Sequence, residues 1–401
     1  MSLTQKKIST LHGGHPVRER LLPYGHQRID EEDIKAVIEV LRSDWITTGP
    51  KVAEFEEAFA GYIGSKYAVS FSSGTAALHG ASFAAGLGPG DEAITTPMTF
   101  CATANCVLYQ GAKPVFADIC LDTLNIDPDE IARRITPRTK AILPVDYAGH
   151  PPDLEPILEL ARRHGLVVIE DACHALGAKY GGRRVGSISH MTVFSFHPVK
   201  NITTGEGGMV ATGDAKLARR LRMFRNHGID SDARERQANG HWSYEMVALG
   251  YNYRLTDIGC ALGISQLRKL EPNLARRRQI ANQYTAVFQD IAGVVPPAAR
   301  PEVIPAWHLY PIRLDLSKLR VDRSEIFRAL RAEGLGVNVH YIPVHLHRYY
   351  RDQFGYRGGE YPVAERAYEN LISLPIFHGM RDQDIGDVIE AVTKVMGYYT
   401  V

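Results

Sequence analysis

Val193–Val210 reads VFSFHPVKNITTGEGGMV. Met191–Phe196 has the composition of a buried strand, and the loop after it presents Lys200. Gly205, Gly207 and Gly208 then make a turn into a second strand. A protonated lysine is a poor nucleophile, so an imine-forming lysine must sit where its charge is disfavoured. Apolar residues before Lys200 and glycines after it suit that demand. Taken alone, a lysine in such a place is far more commonly a surface residue behind a strand. The surrounding chain decides between the two.

Upstream, strands and helices alternate. Tyr67–Phe71 predicts a short buried strand running into Ser72-Ser73-Gly74-Thr75 and a helix that reaches Leu87. Further strands are expected at Glu92–Thr95, Pro114–Asp118, Ala141–Val145 and Leu166–Glu170, with helices at Phe100–Gln110 and Asp153–His164. Such alternation gives right-handed βαβ units and a mainly parallel sheet covered on both faces. Ligands then bind beyond the carboxyl ends of the strands. The fold class is α/β.

Two helices precede the alternation. Asp30 opens the first, with Asp33 at capping-box spacing and Ile34, Val37, Ile38 and Leu41 as one apolar stripe. The loop SDWITTGP leads to the second, Val52–Ile63. Downstream come a basic helix over 214–226, a polar excursion over 229–243, and a helical region from Thr256 to about Asp290 interrupted at Pro272. Val294–Pro305 is Pro-rich and reads as a linker to a smaller α+β unit. That unit's strands are expected at His308–Leu314 and Val337–His340, its helices at Arg323–Glu333, around Val363–Leu371 and at Asp382–Met396. The chain thus divides into a flexible arm (1–28), a large α/β domain (29–270), and a linking helix with a small α+β domain (271–401).

Composition narrows the function. Hydrophobic residues at 45% and charged residues at 23% are those of a soluble globular protein. A net charge of +1 without long runs of one sign argues against nucleic acid as the main partner. No apolar run approaches a membrane span, and the N-terminal residues lack the apolar core of a secretory signal. The five cysteines form no CxxC and fit neither a disulfide framework nor zinc, so reduced thiols in the cytoplasm are expected. His340, His345 and His347 are dense, but no carboxylate pattern accompanies them, so pocket lining or surface is preferred over metal.

Three features fall at the ends of predicted strands. Ser72-Ser73-Gly74-Thr75 is a phosphate cradle, or simply a helix cap. Asp171, at the end of a strand whose four apolar residues are Leu166–Ile169, is costly to bury without a partner. A pyridinium N–H would be such a partner, and His174 would then lie over the ring; capping of the next helix is the alternative. Lys200 comes 29 residues after Asp171, with a strand-and-turn excursion over 178–190 between them. A phosphate cradle, a carboxylate for a ring nitrogen and an amine, in that order, describe pyridoxal phosphate, whose ring acts as an electron sink.

At this point the sequence resembles a known family. ITTGPKVAEFE, SSGTAALH, TFCATAN, VIEDACHALGA, FSFHPVKNITTGEGG, RNHGI and LGYNYRLTD resemble the fold-type I pyridoxal-phosphate enzymes, and within them the DegT-type sugar-nucleotide aminotransferases. The resemblance runs from LPYGHQRIDEEDI to the C-terminal helix. SFHPVK, GHWSYEM and HYIPVHLHRYYRDQFGY are most similar to the branch that aminates C4 of a UDP-4-keto-6-deoxy-N-acetylhexosamine for pseudaminic acid.

The resemblance implies roles. Lys200 would carry pyridoxal phosphate as an aldimine and shuttle the proton, with pyridoxamine phosphate as the intermediate form. Asp171 would pair with the ring nitrogen, His174 and Phe100 would face the ring, and Ser73, Gly74, Thr75 and Ser195 would hold the phosphate. Asn252 would reach the phosphate of a neighbouring subunit, which implies a homodimer with shared sites. His197 would assist proton transfer, or simply pack in its loop. L-glutamate would be the donor. The UDP-4-keto sugar would meet Tyr24, Asp44, Trp45, Ile46, Thr47, His340, Tyr341, Ile342 and Pro343. Rival readings are another sugar-nucleotide 3- or 4-aminotransferase, of the perosamine or 4-amino-arabinose type, and a non-catalytic regulator that binds the cofactor as a sensor. The related 3-dehydratases replace the lysine by histidine, and Lys200 is present.

Overall fold

A computed structural model of the chain describes residues 8–231, 240 and 242–401. Its main sheet is built from β1 (Tyr67–Phe71), β2 (Glu92–Thr95), β3 (Lys113–Phe116), β4 (Thr139–Leu143), β5 (Val167–Asp171), β8 (Met191–Ser195) and β9 (Gly208–Thr212), with a small hairpin of β6 (Lys179–Tyr180) and β7 (Arg183–Arg184) between β5 and β8. The strand order is β1-β9-β8-β5-β4-β2-β3. Every ladder is parallel except those that β9 makes with β8 and β1. This reversal folds the Lys200 loop back over the carboxyl end of β8. Because β5 pairs in parallel with β8, placing Asp171 opposite Val193, Asp171 emerges at the same edge.

Alternation along β8 sets what faces where. Phe194 and Phe196 pack on Phe59 and Phe55 of the helix Pro50–Ile63, with ring centroids 5.1–5.6 Å apart. Ser195, between them, points to the opposite face, where the helix Gly74–Ala84 begins. That helix and its neighbour Ala102–Tyr109 cover Val69, Phe71, Val193 and Val210, all buried.

The first helix is Glu31–Leu41, with the capping box in place: Asp30 accepts from the Asp33 amide at 3.2 Å and Asp33 from the Asp30 amide at 3.1 Å. Its apolar stripe does not form core. Ile34, Ile38 and Leu41 are exposed, while Asp33 is buried and accepts from Ser265 and Gln266 of the helix Asp257–Arg268. Polar contacts, not the stripe, orient this helix.

Pro272 does not break the long helical region. The break is at Lys269, and Pro272 lies in the first turn of Leu270–Phe288, where its missing N–H costs nothing. The Pro-rich stretch is pinned at both ends. β10 (Val294–Val295) joins a second sheet with β12 (Tyr310–Leu314) and β13 (Leu371–Leu374), and β11 (Val303–Ile304) adds to the β6–β7 hairpin. The expected strand at Val337–His340 reduces to one bridge, Asn338 to Ser373, and β13 begins where the predicted helix was to end. The helices Arg323–Ala332 and Asp382–Tyr399 pack on this sheet.

The arm is not free from residue 8 onward. Glu333 accepts from the amides of Thr10 (3.0 Å) and Val17 (3.1 Å), and Lys394 reaches Glu333 (2.8 Å), Thr10 and the carbonyl of His15. Leu22 exchanges hydrogen bonds with Gly334 and Gly336, and Ile376 donates to the Tyr24 carbonyl. The chain is thereby led to the edge where Lys200 lies.

Candidate active site

Three loops converge at that edge. Lys200 sits between β8 and β9, its own amide bonded to the His197 carbonyl. The residue is half-buried, and its amine is the end withdrawn from water. Burial pushes the amine's pKa below its ordinary value, against the pull of Cys173 and Asp171. This is the environment an imine-forming lysine requires.

Asp171 is 5% exposed and is supplied with donors. Thr103 donates to its Oδ2 at 2.6 Å and the Cys173 amide to its Oδ1 at 3.2 Å. Two more carboxyls lie behind it. Asp146, whose amide bonds the Asp171 carbonyl at 3.0 Å, is pushed well above the usual carboxylate range by burial and then by the charges of Glu170 and Asp171. Burial also raises Glu170, which accepts from Thr192 at 2.9 Å.

His174 is buried, and its pKa is pushed well below the ordinary 6.5 by burial, then by Lys200 and His340. The imidazole is therefore neutral. Its ring centroid lies 4.4 Å from that of His308, and its Nε2 meets the Tyr341 hydroxyl at 3.1 Å. Tyr341 lies 6.0 Å from Phe100, which is 58% exposed. Tyr24 packs on His340 at 5.2 Å, and a side chain at Gly25 would touch Val199, the residue before Lys200. His340 is fixed by Ser373 at its Nδ1 (2.9 Å) and by the Tyr147 hydroxyl at its carbonyl.

The Ser73-Gly74-Thr75 loop closes the set. Ser73 caps the helix through its hydroxyl, accepting from Ala76 at 3.1 Å. The first-turn amides have no carbonyl within the helix to bond. A Cβ on Gly74 would come within 2.9 Å of the Ser195 Cβ, and one on Gly208 within 2.4 Å of the Ser73 carbonyl oxygen. Glycine at both positions lets the helix start lie directly against Ser195.

These groups fit pyridoxal phosphate. Open helix amides and the Ser195 hydroxyl suit its phosphate, Asp171 its ring nitrogen, the flat His174 its ring, and the desolvated Lys200 amine its aldehyde.

Other predicted residues lie elsewhere. His197 is exposed, its amide 3.4 Å from the Ser195 hydroxyl. Asn252 is exposed and pairs through its backbone with Asn226. The 44–47 loop is exposed, with the Ile46 carbonyl bound to the Asp257 amide. Its Trp45 lines a cleft of about 920 Å³ bounded by Arg222, Asn226 and Arg254, apart from Lys200. Ile342 is exposed and Pro343 buried. His345 is buried against Glu365 at 3.0 Å. Of the polar excursion, 232–239 and 241 lie outside the described residues. Sequence reasoning missed Thr103, Asp146, Tyr147 and His308. The TFCAT run held a signal for Thr103, a hydroxyl one helical turn after Phe100.

The chain matches the model of the DegT/DnrJ/EryC1/StrS aminotransferase family over residues 27–393. It is 46% identical to the spore coat polysaccharide biosynthesis protein SpsC of Bacillus subtilis, over 94% of this chain and 98% of SpsC. It is 48% identical to an uncharacterized protein of Methanocaldococcus jannaschii, over 95% and 99%. Among solved structures it is similar to Helicobacter pylori PseC, an aminotransferase involved in the biosynthesis of pseudoaminic acid (TM-score 0.87, 35% identity, 94% and 99% covered). It is also similar to a putative sugar aminotransferase of Streptococcus pneumoniae, solved in PMP and PLP forms (for the PMP form TM-score 0.88, 33% identity, 94% and 99% covered). Built on that fold, with a site shaped for the same cofactor, this chain belongs to the DegT/DnrJ/EryC1/StrS family of pyridoxal-phosphate-dependent sugar aminotransferases.

Proposed function

We propose that the chain moves the amino group of L-glutamate to the C4 keto carbon of UDP-2-acetamido-2,6-dideoxy-β-L-arabino-hex-4-ulose, a UDP-4-keto-6-deoxy-N-acetylhexosamine, in pseudaminic acid biosynthesis. The observation that carries the transfer is the meeting, at one sheet edge, of a desolvated Lys200 amine and a donor-supplied Asp171. Similarity to the H. pylori enzyme over nearly the whole chain supports this sugar. Similarity to SpsC favours a second reading, another 3- or 4-keto sugar nucleotide destined for a surface polysaccharide.

Bound at this edge, pyridoxal phosphate supplies an electron sink that lets nitrogen and a proton pass between two carbons. The residues of the chain do the rest. Lys200 holds the cofactor, then takes and returns the proton at the substrate carbon. Asp171 accepts a hydrogen bond from the ring nitrogen and keeps it protonated. His174 and Phe100 orient the ring; Gly74, Thr75 and Ser195 hold the phosphate. Tyr24 and 340–343 meet the sugar nucleotide; the 44–47 loop, which lies apart from Lys200 within one chain, reaches it only across the homodimer. Glutamate and sugar use the site in turn, so the kinetics are ping-pong.

The active assembly is a homodimer in which Asn252 completes the partner's phosphate site. Exposed Ile34, Ile38, Leu41, Trp242, Met246 and Leu249 support an interface, since large apolar groups left in water mark contact surfaces. The five unpaired cysteines suit the cytoplasm. Residues 29–270 form the cofactor domain and 271–401 the small domain.

Absorbance tests the proposal. L-glutamate should abolish the band of the bound cofactor, and one member of a panel of UDP-, dTDP- and GDP-4-keto sugars should restore it. Restoration by a different sugar would replace the named acceptor. A band indifferent to glutamate would favour a regulator that binds the cofactor without turning over.

A further inference from the structure

In the proposed site, His174 lies over the cofactor ring; its imidazole packs on His308 and is hydrogen-bonded at one nitrogen. A face-on contact between two flat groups resists sliding poorly, so the upper ring needs an edge contact to fix it. Among the described residues, the side-chain hydrogen bond of His174 is the one between its Nε2 and the Tyr341 hydroxyl, 3.1 Å long. Its Nδ1 is buried and meets no protein partner. The two rings are nearly parallel, 28° apart with centroids at 6.1 Å.

Tyr341 is in turn firmly rooted. It follows His340, whose ring is bound to Ser373 and whose carbonyl is bound by Tyr147. Ser373 belongs to β13, in the second sheet. Tyr341 therefore connects a point fixed on the second sheet to the His174 imidazole at the Lys200 edge of the first. Its phenol end is deep, and burial pushes its pKa well above the ordinary 10.0, so the hydroxyl keeps its proton across the working range.

We propose that Tyr341 is a positioning residue: through its hydroxyl it fixes the rotation of His174 and hence the seat of the pyridoxal ring, in addition to any contact with the sugar. This rests on the reading of the site as the cofactor's. It makes Tyr341 matter to both half-reactions, whereas a sugar contact would matter to one.

The test is Tyr341→Phe in the holoenzyme, with His174→Phe and the double variant. Tyr341→Phe keeps the ring and removes the hydroxyl, so the fold should persist, which an unchanged far-ultraviolet circular dichroism spectrum checks. The expected result is ~10-fold weaker pyridoxal phosphate binding, the value of one lost buried hydrogen bond. A shifted cofactor absorbance maximum and comparable slowing with glutamate and with keto sugar should accompany it. In the double variant, the loss should not exceed that of His174→Phe alone, because both changes break one contact. Unchanged cofactor affinity and spectrum, with slowing confined to the keto-sugar half-reaction, would overturn the inference and leave Tyr341 as a sugar contact. Additive losses would overturn it as well. Failure of the wild-type protein to bind pyridoxal phosphate would instead defeat the reading of the site itself.

Discussion

Thr103→Val should slow the enzyme strongly, although Thr103 lies one layer away from any substrate. Its hydroxyl donates to Asp171 Oδ2 at 2.6 Å with both groups buried, and it also meets Thr99 at 2.8 Å. Hydrogen bonds to a charged group contribute about 1.5–3 kcal/mol. Valine keeps the shape and deletes the donor. The carboxylate is left with the longer bond from the Cys173 amide, becomes a better proton acceptor, and draws the ring proton toward itself. The electron sink weakens in proportion. On the scale of about 1.4 kcal/mol per decade, kcat/KM should fall about 10- to 100-fold. Stopped-flow absorbance of the glutamate half-reaction measures this directly, and the keto-sugar half-reaction should fall by a similar factor. Thr103→Ser retains the hydroxyl and should recover most of the rate. A valine variant within twofold of wild type, or a serine variant as slow as the valine one, would refute the assignment of Thr103 as the donor that sustains Asp171.

Three other outcomes follow from the geometry. Without cofactor, the Lys200 amine sits below its ordinary value of 10.5, so between its lowered pKa and 10.5 the unfolded chain binds the extra proton. The contribution of Lys200 to apoprotein stability should then rise with pH through that window, and Lys200→Met should be more stable than wild type at neutral pH, with the advantage gone above about 10.5. Melting curves from pH 7 to 11 would show it, and a pH-independent difference would count against desolvation as the cause. Lys394→Met should cost about 3 kcal/mol in urea unfolding, because it leaves the buried Glu333 carboxylate its two amide donors but no cation, and Glu333→Gln on top should restore part of it. Equal stability of the single and double variants would show that the ion pair does not anchor the arm. Finally, Lys200→Ala and Asn252→Ala homodimers, each impaired, should regain up to about one quarter of wild-type turnover when unfolded and refolded together, since half of random dimers are mixed and each then holds one intact site. No regain would place Asn252 in its own subunit's site.

What local sequence could reveal was the sheet and its loaded edge. β1, β2 and β8 are short runs of buried residues bounded by turn chemistry, and the acid and the amine stand at strand ends where apolar patterning stops. Asp30 and Asp33 announced their capping box because both partners lie within one turn. The errors share a cause. The stripe Ile34, Ile38 and Leu41 has helical period, and period does not say whether the covering surface is this chain or another. The 294–305 stretch looked like a linker because Pro lowers strand propensity, yet two-residue strands need only a partner, and β6 and β12 provide one. The strand Leu371–Leu374 was not foreseen, and its first residue closed a predicted helix, because its pairing residues lie some 60 positions earlier. Thr103, and the tie of Tyr341 to His174, were hidden for the same reason. A hydroxyl's role is set by the group that it meets, and Asp171 and His174 meet them across 68 and 167 residues.

The back of the site shows how such distant contacts are held together. Arg277, on the long helix, is 1% exposed, and its guanidinium donates to the carbonyls of Trp307 (3.0 Å), His308 (3.4 Å) and Ile376 (3.0 Å). Burial lowers its pKa to about 10, which leaves it charged at neutral pH. A buried cation served by carbonyls is costly, and it persists where it fixes something that apolar packing would leave loose. Here it fixes two segments at once. The His308 side sets the ring that packs on His174, and the Ile376 amide holds the Tyr24 carbonyl. Because one charge clamps both walls, the placement of His174 and of Tyr24 about Lys200 is a single structural decision. Disturbing either wall should shift His174 and Tyr24 together.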